Sequence, residues 1–240
     1  GFISENYSII PADSQFDPSF VALYLNDGAT STYRYVALST GWEGGTYLAE
    51  DNIQAGQGFF VRAMNDLSEF TFTRNMQVHD VEVPMLKSAG NNEKWPGLKL
   101  SLKSGSVERS TLIVYGDNMT AGLDPGYDVG NYANYSEIEI YTTLTGKDNG
   151  VNFARQSLPV TDCSTFKVPV GIDFEAGGSV TFSAETVPVG SYKFWLEDRT
   201  AGTFTDLSTK SYTVTLPSKT YGAGRFFIIA STNTPTAIEE

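Results

Sequence analysis

The sequence predicts an all-β protein built as two β-sandwich or jelly-roll-like domains of antiparallel strands. Three observations carry that reading. Apolar residues recur at every second position in run after run. Clusters of Gly, Pro, Asn and Asp separate those runs at short intervals. No stretch of ten or more residues carries the i, i+3, i+4, i+7 stripe of an amphipathic helix.

Taken in chain order, NDG (26–28) and EGG (43–45) are the first turn signals. GFFVRAM (58–64) is more continuously apolar and reads as a central strand buried on both faces. Gly56 and Gly58 flank Gln57 just ahead of it, as though a bend with positive φ led into the strand. EFTFT puts Phe70 and Phe72 on one face. The stretch PMLKSAGNNEKWPG (84–97) has no alternation, two prolines and two glycines, and reads as a linker. The expected organisation is therefore an N-terminal β domain over 1–84, a linker over 85–96, a C-terminal β-sandwich over 97–232 and a tail over 233–240. In the second part, GLKLSLK shares Leu98, Leu100 and Leu102 on one face against Lys99, Ser101 and Lys103. SVTFSAE and SYTVTLP alternate in the same way, whereas STLIVYG and RFFIIAS are more continuously apolar and read as central strands buried on both sides. The Pro-Gly pair of GLDPGYD favours a type II turn, and Arg199-Thr-Ala-Gly a hairpin turn.

Composition removes several function classes. The 240 residues carry 28 acidic against 16 basic side chains, a formal charge of −12. No basic surface exists to displace counterions from phosphates, so nucleic acid is excluded as a partner. Anionic membrane surfaces are disfavoured for the same reason, and no run of 18 apolar residues would insert into a bilayer. A chain of this length can bury roughly 70% of its extended surface, enough for a core without staples. One cysteine and one histidine leave neither a disulfide nor a structural zinc site. Cys163 and His79 are distant in sequence, and His79 alternates within QVHDVEV as a strand residue would. GFISEN has no basic and apolar signal region; Gly1 reads as an artificial scar where a native leader has been cut away.

Several segments together resemble a module of secreted and cell-surface Bacteroidetes proteins of the adhesin type. IQAGQGFFVRA (Ile53–Ala63) followed by EFTFTRNMQVHD carries the first half of the likeness. The blocks LKLSL, STLIVYGDNMTAGLDPGYDVGNYA, EIYTTL, FARQSLPV, VPVGIDFEAGGSVTFSAE, YKFWLEDRTAGTFTDLSTKSYTVTLP and RFFIIAS carry the second, in order. In such proteins these β domains precede a C-terminal sorting domain read by a type IX secretion route, and TPTAIEE resembles the lead into one. The resemblance implies an extracellular or cell-surface protein. It supplies no ligand and no catalytic residue.

Candidate sites follow from the loops. GDNMTAGLDPGYD offers Asp117, Asn118, Asp124 and Asp128, oxygen ligands of the kind a structural calcium takes. The alternative is a polar loop whose side chains cap turns, because Met119 and Ala121 occupy positions that an EF-hand would use for ligation. No other cofactor is expected. Trp42 in TGWEGG and Tyr127, Tyr132 and Tyr135 in a loop-rich stretch are the residues for stacking on a sugar or filling a partner's pocket. Trp95 and Trp195 read as core-edge or core residues. Glu137 and Glu139 sit at i and i+2 on a strand and so share a face, as paired glycosidase carboxylates do, but the next residue of that face is Tyr141, where β-jelly-roll glycosidases use a third acid. Glu197 and Asp198 are adjacent, hence on opposite faces. Asn6, Asn118 and Asn134 begin N-x-S/T triplets that matter only in a eukaryotic source. The expected function is a non-enzymatic surface module for adhesion or ligand presentation, toward a glycan or another surface protein. The alternative is a carbohydrate-binding accessory module, and the third reading a glycoside hydrolase.

Overall fold

The computed structural model describes residues 15–27, 32–37, 58–70, 95–132, 137–161 and 163–235. All regular structure among them is strand, apart from short 3₁₀ turns. The strands are β1 (Ala22–Asp27), β2 (Thr32–Ala37), β3 (Gly97–Ser104), β4 (Val107–Gly116), β5 (Val129–Gly130), β6 (Ile138–Thr142) and β7 (Phe153–Pro159). They continue with β8 (Lys167–Phe174), β9 (Gly178–Val187), β10 (Lys193–Asp198), β11 (Thr203–Asp206), β12 (Tyr212–Leu216) and β13 (Phe226–Ser231). The chain forms two compact units: Gly1–Lys94 with Pro125–Asn134, and Trp95–Asp124 with Tyr135–Glu240.

In the first unit β1 and β2 pair antiparallel, with Tyr24 opposite Tyr35. The extended segment around Phe60 joins them through a reciprocal pair of backbone bonds between Tyr24 and Phe60, at 2.9 and 2.7 Å. Alternation then sorts the side chains. Leu23 and Leu25 pack with Phe16 and Val21 into a small core, and Phe59, Val61 and Phe70 lie against it. The intervening Tyr24 and Phe60 face the other way. GFFVRAM is thus not a strand buried on both sides: Gly58, Phe60, Arg62, Ala63 and Met64 all lie open or half-open, and the segment meets its neighbours only at isolated bridges. Gly58 does not adopt a positive φ, and a Cβ there would touch nothing. Gly56 and Gln57 lie outside the described residues.

The second unit is one sheet of ten strands in the order β11-β10-β13-β8-β6-β7-β4-β3-β9-β12. Its ends fold toward each other around a single core, so the unit is barrel-like rather than a pair of separate stacked sheets. Phe182 of β9 and Phe226 of β13 stand far apart along the sheet, yet their ring centroids are 4.8 Å apart. Tyr115 of β4 and Phe194 of β10 stack across the same interior at 6.1 Å. The expectation of antiparallel strands throughout fails at one junction. β4 and β7 run parallel, Leu112 to Gly116 beside Arg155 to Pro159, because the chain between them is long enough for a crossover rather than a hairpin. The alternations read from sequence place their residues as expected: Leu98, Leu100, Leu102, Val180 and Phe182 are fully buried. β13 is a central strand with five consecutive buried residues. Asp198 at the end of β10 has its side chain on the inner face, and Glu197 beside it faces outward with Trp195.

Candidate functional site

The face of the first unit opposite its core is aromatic. Tyr24 is buried and its hydroxyl donates to the Gly130 carbonyl at 2.9 Å. Burial, and after it the neighbouring Tyr35, pushes the Tyr24 phenol far above its usual range, so the group remains a donor. Phe20 lies flat against Gly130, where a Cβ would come within 2.4 Å of the ring; glycine is required for that approach. The 3₁₀ turn carrying Phe20 is capped by Asp17, which accepts from the Ser19 amide at 2.9 Å. Asp17 also pairs with Arg62 at 3.1 Å, and the guanidinium sits 4.2 Å from the centre of the Phe20 ring.

Three rings complete this face. Tyr132 packs 5.2 Å from Tyr24 and near-parallel to Phe60 at 6.3 Å. Tyr33 meets Phe60 edge-on at 5.6 Å and Tyr132 edge-on at 5.2 Å. Phe60 remains 49% exposed, a large ring held in one orientation by two tyrosines. Met64 and Leu67 continue the exposed apolar strip along the same segment. This rim can stack on a flat apolar face or fill a partner's pocket. Within the cluster itself no nucleophile and base meet.

Of the residues singled out in the sequence, Tyr132 is the one that joins the rim. Trp42 and Tyr135 lie outside the described residues, as do His79, Asn6 and Asn134. Tyr127 is half-buried beside Gly126, whose φ of +82° is that of the expected type II turn. The sequence reading missed Tyr24, Tyr33 and Phe60. Their signal is the alternation of ALYLND and TYRYVA, in which tyrosines occupy the face that would ordinarily be polar.

The aspartates of GDNMTAGLDPGYD have different surroundings. Asp117 is exposed. Asp124 accepts from the Thr120 amide at 2.6 Å and from its hydroxyl at 3.0 Å, the turn-bracing role weighed against calcium. Asp128 is fully buried and belongs to the first unit, Asp117 and Asp124 to the second. Among the described residues no three Asp, Glu, His or Cys side chains converge as a ligand set. Cys163 is buried in the second unit's core. Glu139 has a carboxylate neighbour: Asp173 stands directly opposite on β8. Arg109 lies 3.8 Å from Glu139, and Asp173 accepts from the Tyr141 hydroxyl at 2.9 Å and the Gly222 amide at 3.1 Å. Cross-strand repulsion between the two acids is offset by these donors. Glu137 is exposed. Trp95 covers Gly116, and the Trp195 indole donates to the Ser231 carbonyl at 3.3 Å.

A family profile, described as a domain of unknown function (DUF8693), matches residues 9–229 and so runs through both units. The chain belongs to the DUF8693 family. No curated protein and no solved structure matches it. The DUF8693 match takes in the residues of the aromatic rim and all but the last two residues of the ten-strand sheet. No helix among the described residues is long and apolar enough to cross a membrane.

Proposed function

We propose that this DUF8693 chain is an exported, non-enzymatic surface module that presents the Tyr33–Phe60–Tyr132 rim to a ligand, in adhesion or ligand presentation. The observation that supports it is the half-exposed Phe60 ring, braced edge-on by Tyr33 and stacked on Tyr132. A ring already fixed in place loses little conformational entropy on binding, and aromatic anchors carry a large share of interface energy. The likeness of Ile53–Ala63 and the later blocks to Bacteroidetes surface proteins supports an extracellular or cell-surface location. The partner is a glycan or another surface protein; the charge of −12 speaks against nucleic acid.

A carbohydrate-binding accessory module is the second reading, favoured by the same exposed ring, since sugars stack their C–H faces on aromatics. A glycan array and a panel of surface and matrix proteins separate the two. Phe60→Ala should abolish retention while leaving stability within about 1 kcal/mol, because the ring is half in solvent. Retention on polysaccharide that the variant loses supports the second reading, and capture of a protein that it loses supports the first. Retention untouched by Phe60→Ala sinks the rim, and Trp42→Ala would then test the other aromatic. Hydrolysis of any glycan would overturn the non-enzymatic reading and direct attention to Glu139 and Asp173. A structural calcium at Asp117, Asp124 or Asp128 is tested by calorimetric titration after chelator treatment. Uptake lost in Asp124→Ala would support the ion, and a flat trace would remove it.

A further inference from the structure

The interior of the ten-strand unit is largely apolar, and one polar exception lies where β4 and β7 run side by side. Gln156 stands opposite Ile113, and Leu158 opposite Tyr115, in the parallel register. Ile113, Tyr115 and Leu158 all belong to the core, so Gln156, two residues before Leu158 on a regular strand, points into the same interior. It is fully buried. Neither its amide nitrogen nor its amide oxygen reaches a protein partner, and the buried Tyr115 hydroxyl has none either. Tyr115 is the diagonal neighbour of Gln156 across the β4–β7 pair and shares its inward face.

A primary amide has two donors and an acceptor oxygen with two lone pairs, and a phenol adds one donor and an acceptor. Leaving all of them unsatisfied in an apolar interior is costly, which is why such groups in folded proteins hold ordered water. A water between an amide and a hydroxyl finds the two or more polar partners it needs. The opposite face of β7 sharpens the point. Arg155 is also fully buried there, with its guanidinium 5.3 Å from the Trp95 ring. A slip of β7 by one residue would bring the guanidinium into the apolar core and turn Gln156 out. A hydrated glutamine marks the register that avoids this.

We infer that the barrel-like unit contains a specific internal water site, formed by the Gln156 amide and the Tyr115 hydroxyl between β4 and β7. The site is polar on these two groups and walled by Ile113 and Leu158. Its occupant is water rather than an ion, since neither polar group carries charge at neutral pH.

A high-resolution crystal structure of the full chain, together with oxygen-17 relaxation dispersion in solution, tests this. The expected result is a water within about 2.7–3.2 Å of both groups and one long-lived internal water in the dispersion profile. Gln156→Leu should remove that signal and leave the melting temperature unchanged or raised, because an apolar side chain of similar size needs no guest. Tyr115→Phe keeps the question answerable if the leucine variant misfolds: with the hydroxyl gone, the long-lived water signal should be lost or its residence shortened at least several-fold. A direct Gln156–Tyr115 hydrogen bond with no intervening water would overturn the inference, as would a dispersion profile unchanged by both substitutions.

Discussion

Phe182→Ala should destabilise the second unit by about 3–5 kcal/mol, the range for truncating a fully buried phenylalanine. Phe182 has no exposed surface and lies 4.8 Å from Phe226 and 6.3 Å from Tyr212, ring to ring. It sits on β9, between β3 and the terminal strand β12. Removing the ring therefore loses its transfer energy, opens a cavity and withdraws the contact by which β9 meets β13 across the core. Neighbouring strands are held in register by hydrogen bonds on both sides of β9 and can collapse only partly into the space. At about 3 °C per kcal/mol for a chain of this size, the melting temperature should fall by about 10 °C. Thermal melts followed by tryptophan fluorescence measure it, since Trp95 and Trp195 both belong to this unit. Phe182→Leu, which refills most of the volume, should lose less than half as much. A fall under 2 °C for the alanine variant would mean that the two limbs of the sheet do not depend on this contact.

Asp198→Ala should cost about 3 kcal/mol, because it removes a buried carboxylate on which several donors converge and leaves the Arg225 guanidinium without it. Asp198 is 1% exposed. Its carboxylate accepts from Arg225 Nε at 2.9 Å and Nη2 at 2.7 Å, from the Tyr212 hydroxyl at 2.8 Å, and from the Thr200 and Ala201 amides at 3.0 and 3.2 Å. These groups come from the ends of β10, β12 and β13, so one carboxylate ties the terminal strand β12 to the opposite limb of the sheet. Burial alone would raise the carboxyl's pKa, but the hydrogen bonds from Arg225, Tyr212 and the Ala201 amide outweigh it and hold the group below its ordinary range. The sign for stability follows from linkage. A carboxyl whose folded pKa is depressed contributes fully above its unfolded value, about 3.9, and loses that contribution as pH falls through the folded value. Urea unfolding between neutral pH and about pH 2 should therefore show a loss of stability in the wild type that is smaller in Asp198→Ala. The double variant Asp198→Ala, Arg225→Met should recover part of the loss, since it removes the uncompensated charge as well. Equal acid sensitivity in wild type and Asp198→Ala would show that this carboxylate is not the latch.

The aromatic rim was half legible. Tyr132 stands out in the sequence as a loop aromatic, but its partners Tyr24, Tyr33 and Phe60 lie far upstream and are joined to it by tertiary contact alone. GFFVRAM illustrates the opposite error. Its run of apolar side chains resembles a doubly buried strand, yet Phe60 is half in solvent, because apolar content reports the preference of a side chain for burial and not the presence of anything to bury it. The division of the chain shows the same limit. Composition suggests a break near 84–97 and gives no sign that Pro125–Asn134 groups with the first unit, where Tyr24 reaches Gly130 across 106 positions.

What the sequence determined by itself was local: the all-β class, the strands of Leu98–Leu102, Val180–Phe182 and Phe226–Ala230, the faces on which Glu197 and Asp198 part, and the Pro125–Gly126 turn. Each follows from the two-residue period of an extended chain or from the φ preference of one or two residues. Only the tertiary structure decided that β4 and β7 run parallel, that ten strands curl around one core, that Asp198 finds Arg225 and Tyr212, and that Tyr132 meets Phe60. Those outcomes depend on which distant segments meet, and pairing energies between distant segments leave no periodic trace along the chain.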